Sequence, residues 1–148
     1  MSEIMEGNAS ELNSPSVNNP VIIDVCAAVI RRGERYFLAK RHSGKHLGGK
    51  WEFPGGKIHV GESCAECIIR EMHEELRLAV RNPVFVTLTE FAYEEKTVRL
   101  HFMQCDLPPE AKCHPREHQE VGWFTAREIQ ELDLAPADRE FAESLPIA

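Results

Sequence analysis

The sequence predicts an α/β domain, on three observations. Runs rich in β-branched and small apolar residues read as strands, residues 21–31 being the clearest. One stretch beginning at Ser63 has apolar residues at helical spacing. Further strand-like runs follow, then two helical segments near the C-terminus, so strands and helices alternate along one chain. At 148 residues there is room for a single domain with a real core.

Residues 1–20 are rich in Ser, Asn and acidic side chains and read as a flexible tail, which leaves 21–148 for the domain. The tail has neither the apolar core of a secretory signal nor a basic amphipathic pattern, and no run approaches transmembrane length. The expected location is cytoplasmic. Residues 21–31 form the first strand, 32–34 a turn and 36–40 a partner strand. Residues 41–50 are a basic, glycine-rich loop that is either solvated surface or a nucleotide-facing loop carrying Arg41, His46 and Lys50. In residues 51–57, Gly55 and Gly56 follow Pro54 and let the backbone approach a ligand closely.

Ser63 and Glu66 form an S-x-x-E capping box that starts the helix. Ala65, Ile68, Ile69, Met72 and Leu76 give it a core face, while Glu71, Glu74 and Glu75 share another face. Asn82-Pro83 reads as a break. Residues 84–92 and 97–105 read as two strands joined by a turn at 93–96. Phe85, Phe91, Tyr93 and Phe102 are core by default, although one ring beside a cleft could stack on a base. Residues 107–115 are a proline-containing loop, and 116–124 a loop running into a last strand. Thr125 and Glu128 make a second capping box for a short helix, and a final amphipathic helix runs through Phe141 and Leu145.

The clustered carboxylates carry the chemistry. Three close negative charges repel, and the helix dipole disfavours them toward the C-terminal end. A hard divalent cation, Mg2+ or Mn2+, reverses both penalties and bridges to substrate phosphates. The plainer alternative is a solvated charged face with Arg70 and Arg77 as counter-charges. A net charge of -7 argues against a nucleic-acid polymer as partner. It leaves a single nucleotide open, because bound metal supplies positive charge. The five cysteines, Cys26, Cys64, Cys67, Cys105 and Cys113, are expected to be free thiols. Cys64-x-x-Cys67 has the form of half a zinc site, with Cys113, His114 and His118 as conceivable partners. No second pair with zinc-site spacing follows.

Gly56, then five residues to Glu62, then seven residues to Arg70-Glu71-Met72-His73-Glu74-Glu75, resembles the Nudix box. One position departs from the pattern: Arg77 stands where the family has its last glycine, which predicts a different C-cap or an extra helical turn. Trp51-Glu52-Phe53-Pro54-Gly55-Gly56-Lys57 ahead of the box is similar to the MutT branch of that family. The resemblance implies the Nudix α/β/α sandwich with a mixed sheet. It implies an enzyme that hydrolyses nucleoside triphosphates to monophosphate and pyrophosphate in cleaning the nucleotide pool.

By the same resemblance, Glu71, Glu74, Glu75, Glu117 and the carbonyl of Gly55 bind Mg2+ (or Mn2+). Arg70 orients the glutamates and Glu62 supports the water shell. Glu117 or Glu74 acts as general base, with His118 an alternative on its own chemistry. Arg41 and His46 fall near the bound nucleotide. Asp138 aligns with an Asn that reads 8-oxoguanine in MutT and with an Asp in cytidine triphosphate pyrophosphohydrolases. It either reads the base or caps the last helix. The state implied is a monomer or homodimer with no membrane partner. The alternatives are a Nudix hydrolase of another diphosphate derivative, such as an ADP-sugar or a dinucleoside polyphosphate, and a non-catalytic nucleotide-sensing module.

Overall fold

A computed structural model describes residues 21–42, 44, 47–115 and 120–147. The elements run β1 (Val21–Arg32), β2 (Arg35–Lys40), β3 (Trp51–Glu52), β4 (Gly55–Lys57), α1 (Cys64–Leu76), β5 (Arg81–Ala92), β6 (Lys96–Asp106), β7 (Glu120–Thr125), α2 (Ala126–Ile129) and α3 (Pro136–Glu143). The sheet is mixed, in the order β3-β2-β1-β6-β5, with β4 pairing β1 and β7 pairing β2. β1 and β6 run parallel from Val21↔Lys96 to Ile30↔Cys105. The remaining strand pairings are antiparallel.

The alternation of β1 explains why both faces of the sheet are covered. Cys26, Ala28 and Ile30 point to one side, where Ile68, Met72 and Leu76 of α1 pack on them. Ala27 and Val29 point to the other, where Ile129 of α2 and Phe141 and Ala142 of α3 close the second core. This is the expected three-layer α/β/α arrangement with a mixed sheet. Phe53, Phe102 and Phe141 form an aromatic cluster in the second core, with the Phe102 and Phe141 rings stacked at 4.1 Å.

Both capping boxes form: Glu66 N–H donates to Ser63 Oγ at 3.0 Å and Glu128 N–H to Thr125 Oγ1 at 3.1 Å. Several expectations need correction. Phe85 and Phe91 of β5, expected in the core, are exposed. Asn82-Pro83 does not break the chain; it lies inside β5 at a register shift, with Asn82 at φ 52°. β5 is the edge of the sheet, where a proline is tolerated and a bulge discourages pairing with another chain. Ile69 is largely exposed, and the buried place beside Ile68 goes to Cys67.

Arg77 adds no turn. It takes the left-handed conformation itself (φ 57°, ψ 31°) and ends α1 as the family's glycine would. Finally, Cys26 and Cys67 form a disulfide, leaving Cys64, Cys105 and Cys113 free. Cys26 stands opposite Gly56 in the β1–β4 register, and Cys67 lies in the first turns of the helix packed on that face. That proximity comes from the sheet register, which cysteine spacing does not encode.

Thr89 of β5 is buried, and its Oγ1 has no hydrogen-bond partner among the described residues. A buried unsatisfied hydroxyl costs about 1–3 kcal/mol. Thr89→Val keeps the branched shape and removes that penalty. It is expected to raise the unfolding midpoint in urea, with no change in m-value; a lower midpoint would show that the hydroxyl is satisfied by water.

Candidate active site

The site begins with a glycine that must be a glycine. Gly55 and Gly56 pair with Ala27 and Cys26 of β1. A side chain on Gly55 would collide with the backbone of Cys26, and one on Gly56 would occupy the volume of the Glu71 carboxylate. The bare backbone of β4 therefore lets α1 lie close enough to bring Glu71 against the loop. Gly56→Ala is expected to push Glu71 out of place, lowering stability by about 1–3 kcal/mol as overpacking does. Turnover should fall further than that loss explains, which thermal unfolding and a rate assay together would report.

Arg70 gathers the acidic side chains. Its Nε and Nη2 bind Glu62 at 2.6 and 3.0 Å, and its Nη1 binds Glu71 at 3.0 Å and Glu74 at 3.1 Å. Nη2 also donates to the Lys57 carbonyl, which ties the helix to β4. The Arg70 guanidinium, helped by the His59 N–H, holds the Glu62 carboxyl down at about 2. Glu71 is buried, and that burial pushes its pKa up. Arg70 pulls it down, and the neighbouring charges of Glu75 and Glu74 push it up again.

The structure divides the three glutamates. Glu71 and Glu75, one turn apart, line a cavity of about 770 Å³ together with Gly55 and Gly56. Glu74 is turned toward Arg70, with half of its side chain exposed. Among the described residues no three His, Cys, Asp or Glu side chains converge as a metal cage. The donor set nevertheless fits a hard divalent cation: two carboxylates and the carbonyl-bearing glycine backbone face one space, and all offer oxygen. Glu117 and His46, and His118 with them, lie outside the described residues.

The cavity also draws on segments far apart in sequence. The chain after α2 is pinned to β3: Trp51 N–H donates to Asp133 O and Ala135 N–H to Trp51 O, each at 2.8 Å. Asp138, in the first turn of α3, accepts from the Phe53 N–H at 2.9 Å across 85 positions of sequence. The N-cap of α3 is Ala135, which makes no side-chain cap bond, so the capping alternative for Asp138 is not what the structure adopts. Burial pushes the Asp138 carboxyl well above the usual carboxylate range, and the Glu52 charge pushes it further. The Phe53 N–H and Arg41 pull the other way.

Arg41 lines the cavity and binds Glu52 at 2.9 Å. Lys50 instead pairs with Asp133 at 2.9 Å. Glu52 of the 51–57 stretch, and Tyr93 and Lys96 of the turn expected at 93–96, also line the cavity. The β5–β6 pairing carries Tyr93 and Lys96 into the cavity lining that Asp138 shares. No helix among the described residues is long and apolar enough to cross a membrane.

Comparison with known proteins agrees with this geometry. The NUDIX domain model matches residues 22–145. The chain is 32% identical over 124 residues to the CTP pyrophosphohydrolase of Escherichia coli, covering 83% of this chain and 90% of that protein. It is 30% identical over 128 residues to the 8-oxo-dGTP diphosphatase of Haemophilus influenzae, covering 84% and 91%. Among solved structures, the MutT protein of Methanosarcina mazei superposes with a TM-score of 0.73 at 27% identity, covering 86% of this chain and 94% of that one.

Proposed function

The chain belongs to the Nudix family of hydrolases, and on that premise we propose that it is a Mg2+-dependent nucleoside triphosphate pyrophosphohydrolase of the MutT kind. It converts a nucleoside triphosphate to monophosphate and pyrophosphate, favours (d)CTP or 8-oxo-dGTP, and serves to clean the nucleotide pool. The observation that carries this reading is one cavity whose lining holds two chemically distinct groups: Glu71 and Glu75 with the bare backbone of Gly55, and the buried carboxyl of Asp138. The volume is that of a small-molecule site, and the two groups suit a triphosphate and a base.

Nudix hydrolases generally use divalent metal ions. Such an ion, when bound, neutralises phosphoryl oxygens and makes its water more acidic. Glu71, Glu75 and the Gly55 carbonyl would hold it, with Glu74 and Glu117 completing the set that the family resemblance assigns. Arg70 orients Glu71 and Glu74 through its two bonds at Nη1. Glu117 or Glu74 takes the proton of the attacking water. Arg41 and His46 position the nucleotide, and Asp138 reads the base. Stabilising charge on the phosphoryl oxygens is the larger part of such catalysis.

Pyrophosphate release with Mg2+ across dCTP, CTP, 8-oxo-dGTP and dGTP tests this, with an ADP-sugar as control. Selective turnover of one triphosphate to its monophosphate is the expected result. Turnover of the ADP-sugar alone would overturn the triphosphate reading.

A further inference from the structure

Cys67 sits one turn ahead of the residues that build the carboxylate site. Arg70 follows it by three positions and Glu71 by four, so the three share one stretch of α1. Its sulfur is bonded to Cys26 of β1, which stands opposite Gly56 in the β1–β4 register. Both cysteines are fully buried. The bond therefore staples α1 to β1 at the level of Gly56, the residue whose bare Cα makes room for the Glu71 carboxylate.

The surroundings of the two sulfurs suit thiols as well as a disulfide. Cys26 Sγ lies 3.5 Å from the Gly56 carbonyl oxygen. Cys67 Sγ lies 3.7 Å from the same oxygen and 3.6 Å from the Lys57 carbonyl oxygen. A disulfide sulfur has no proton to donate. A thiol has one, and here each thiol meets an acceptor without rearrangement. Opening the bond thus leaves no buried donor unsatisfied.

Arg70 senses the difference. Its Nη2 donates to the Lys57 carbonyl at 3.1 Å and lies 3.8 Å from Cys67 Sγ. A Cys67 thiol competes with Nη2 for that carbonyl. The same guanidinium holds Glu62, Glu71 and Glu74. A change at one sulfur is therefore passed on to the carboxylates.

We propose that Cys26 and Cys67 form a reversible redox clasp: oxidation closes it and tightens the site's hold on a divalent cation, and reduction loosens that hold. In reduction a dithiol passes two electrons to the S–S bond and a proton to each sulfur, and closes into its own disulfide. In reoxidation one sulfur attacks a hydroperoxide, takes one oxygen as a sulfenic acid and releases an alcohol or water. The second thiol then displaces that oxygen as water and restores the bond. Cys26 lines the cavity, which gives reagents of this size a path. The proposal rests on the reading of Glu71 and Glu75 as metal ligands and adds regulation to that site.

The full chain is compared in two forms, oxidised, and reduced with dithiothreitol then desalted without air. Thiol counting in denaturant should give three thiols in the first and five in the second. Mg2+ affinity, read by calorimetry without nucleotide, should be about three- to tenfold tighter in the oxidised form, the worth of one hydrogen bond. Its Tm should be higher as well. Hydrogen peroxide should return the reduced protein to the oxidised affinity. Cys67→Ser and Cys26→Ser should each hold the reduced affinity under either reagent.

Equal Mg2+ affinity in the two forms, weaker affinity in the oxidised one, or no binding in either would overturn the proposal. So would a bond that dithiothreitol does not open in the folded protein. Triphosphate turnover is assayed separately: no turnover there sinks the pyrophosphohydrolase reading, while the metal comparison still decides this one.

Discussion

Glu75→Gln in the full chain is expected to cut turnover of the preferred triphosphate by about a hundred- to a thousandfold while leaving the fold intact. Glu75 faces the cavity beside Glu71, and its charge raises the cost of ionising Glu71. The swap removes one negative oxygen from the space where a divalent ion would sit but keeps the side chain's shape. An ion's stabilisation of phosphoryl charge is worth several kcal/mol, and each 1.36 kcal/mol is tenfold in rate. The repulsion removed with the charge should hold Tm level or raise it, a trade of stability against function at a site built for catalysis. A raised Mg2+ half-saturation point should accompany the lost rate.

Glu74→Gln measured beside it is informative because Glu74 is bonded to Arg70 and turned from the cavity. An equal loss there would show that Glu74 leaves Arg70 when substrate and ion bind. A Glu75→Gln enzyme within threefold of wild type, with unchanged Mg2+ dependence, would remove Glu75 from the site. Unchanged metal affinity with no turnover in either form would instead favour a sensing module.

The carboxylate side of the cavity, proposed for metal and phosphate, is the more legible from sequence, and the reason is local. Glu62, Arg70, Glu71 and Glu75 lie within two turns of one helix and the loop before it, so their spacing carries their geometry. Even there, periodicity placed Glu71, Glu74 and Glu75 on one face, whereas Arg70 draws Glu74 aside. The side proposed for the base is legible only at Asp138, and only through resemblance. What builds that side is the pinning of residues 133–135 to Trp51 and of Asp138 to Phe53, which are long-range pairings with no periodic signature.

The same holds for the Cys26–Cys67 bond, which depends on the β1–β4 register. Strands were found where both faces of the sheet are buried, as in β1. At the sheet edge the pattern is weaker: residues 84–92 read as a strand, but Asn82 and Pro83 sit at a bulge that turn chemistry reads as a break. Arg77 shows the converse: a residue unsuited to positive φ still ends the helix, because the packing of Leu76 and Leu78 on either side decides the path.

Asp138→Asn should change both the pH dependence of stability and the choice of base. The folded carboxyl holds its proton more tightly than the unfolded chain does, because it is buried and faces the Glu52 charge. Above about pH 4, where an unfolded aspartate loses its proton, the unfolded state therefore binds fewer protons than the folded one. Stability then falls as pH rises, by at most about 1.4 kcal/mol per unit, until the folded group itself ionises. Asparagine is neutral throughout, and its carbonyl can still accept from the Phe53 N–H. The variant should thus lose this slope, and its advantage in Tm over wild type should widen as pH rises above about 4.

The same substitution changes what the base meets. The carboxyl offers the exocyclic amine of cytosine an acceptor oxygen. The amide puts an N–H2 donor in place of one of the two carboxyl oxygens. Discrimination of that kind is worth about 1–3 kcal/mol, so the ratio of (d)CTP to 8-oxo-dGTP turnover should move about ten- to a hundredfold toward the purine. Parallel stability profiles for the two proteins would mean that Asp138 is ionised in the fold. An unchanged base ratio would mean that its carboxyl, bonded to Phe53, serves the architecture of α3 and leaves recognition to the cavity wall.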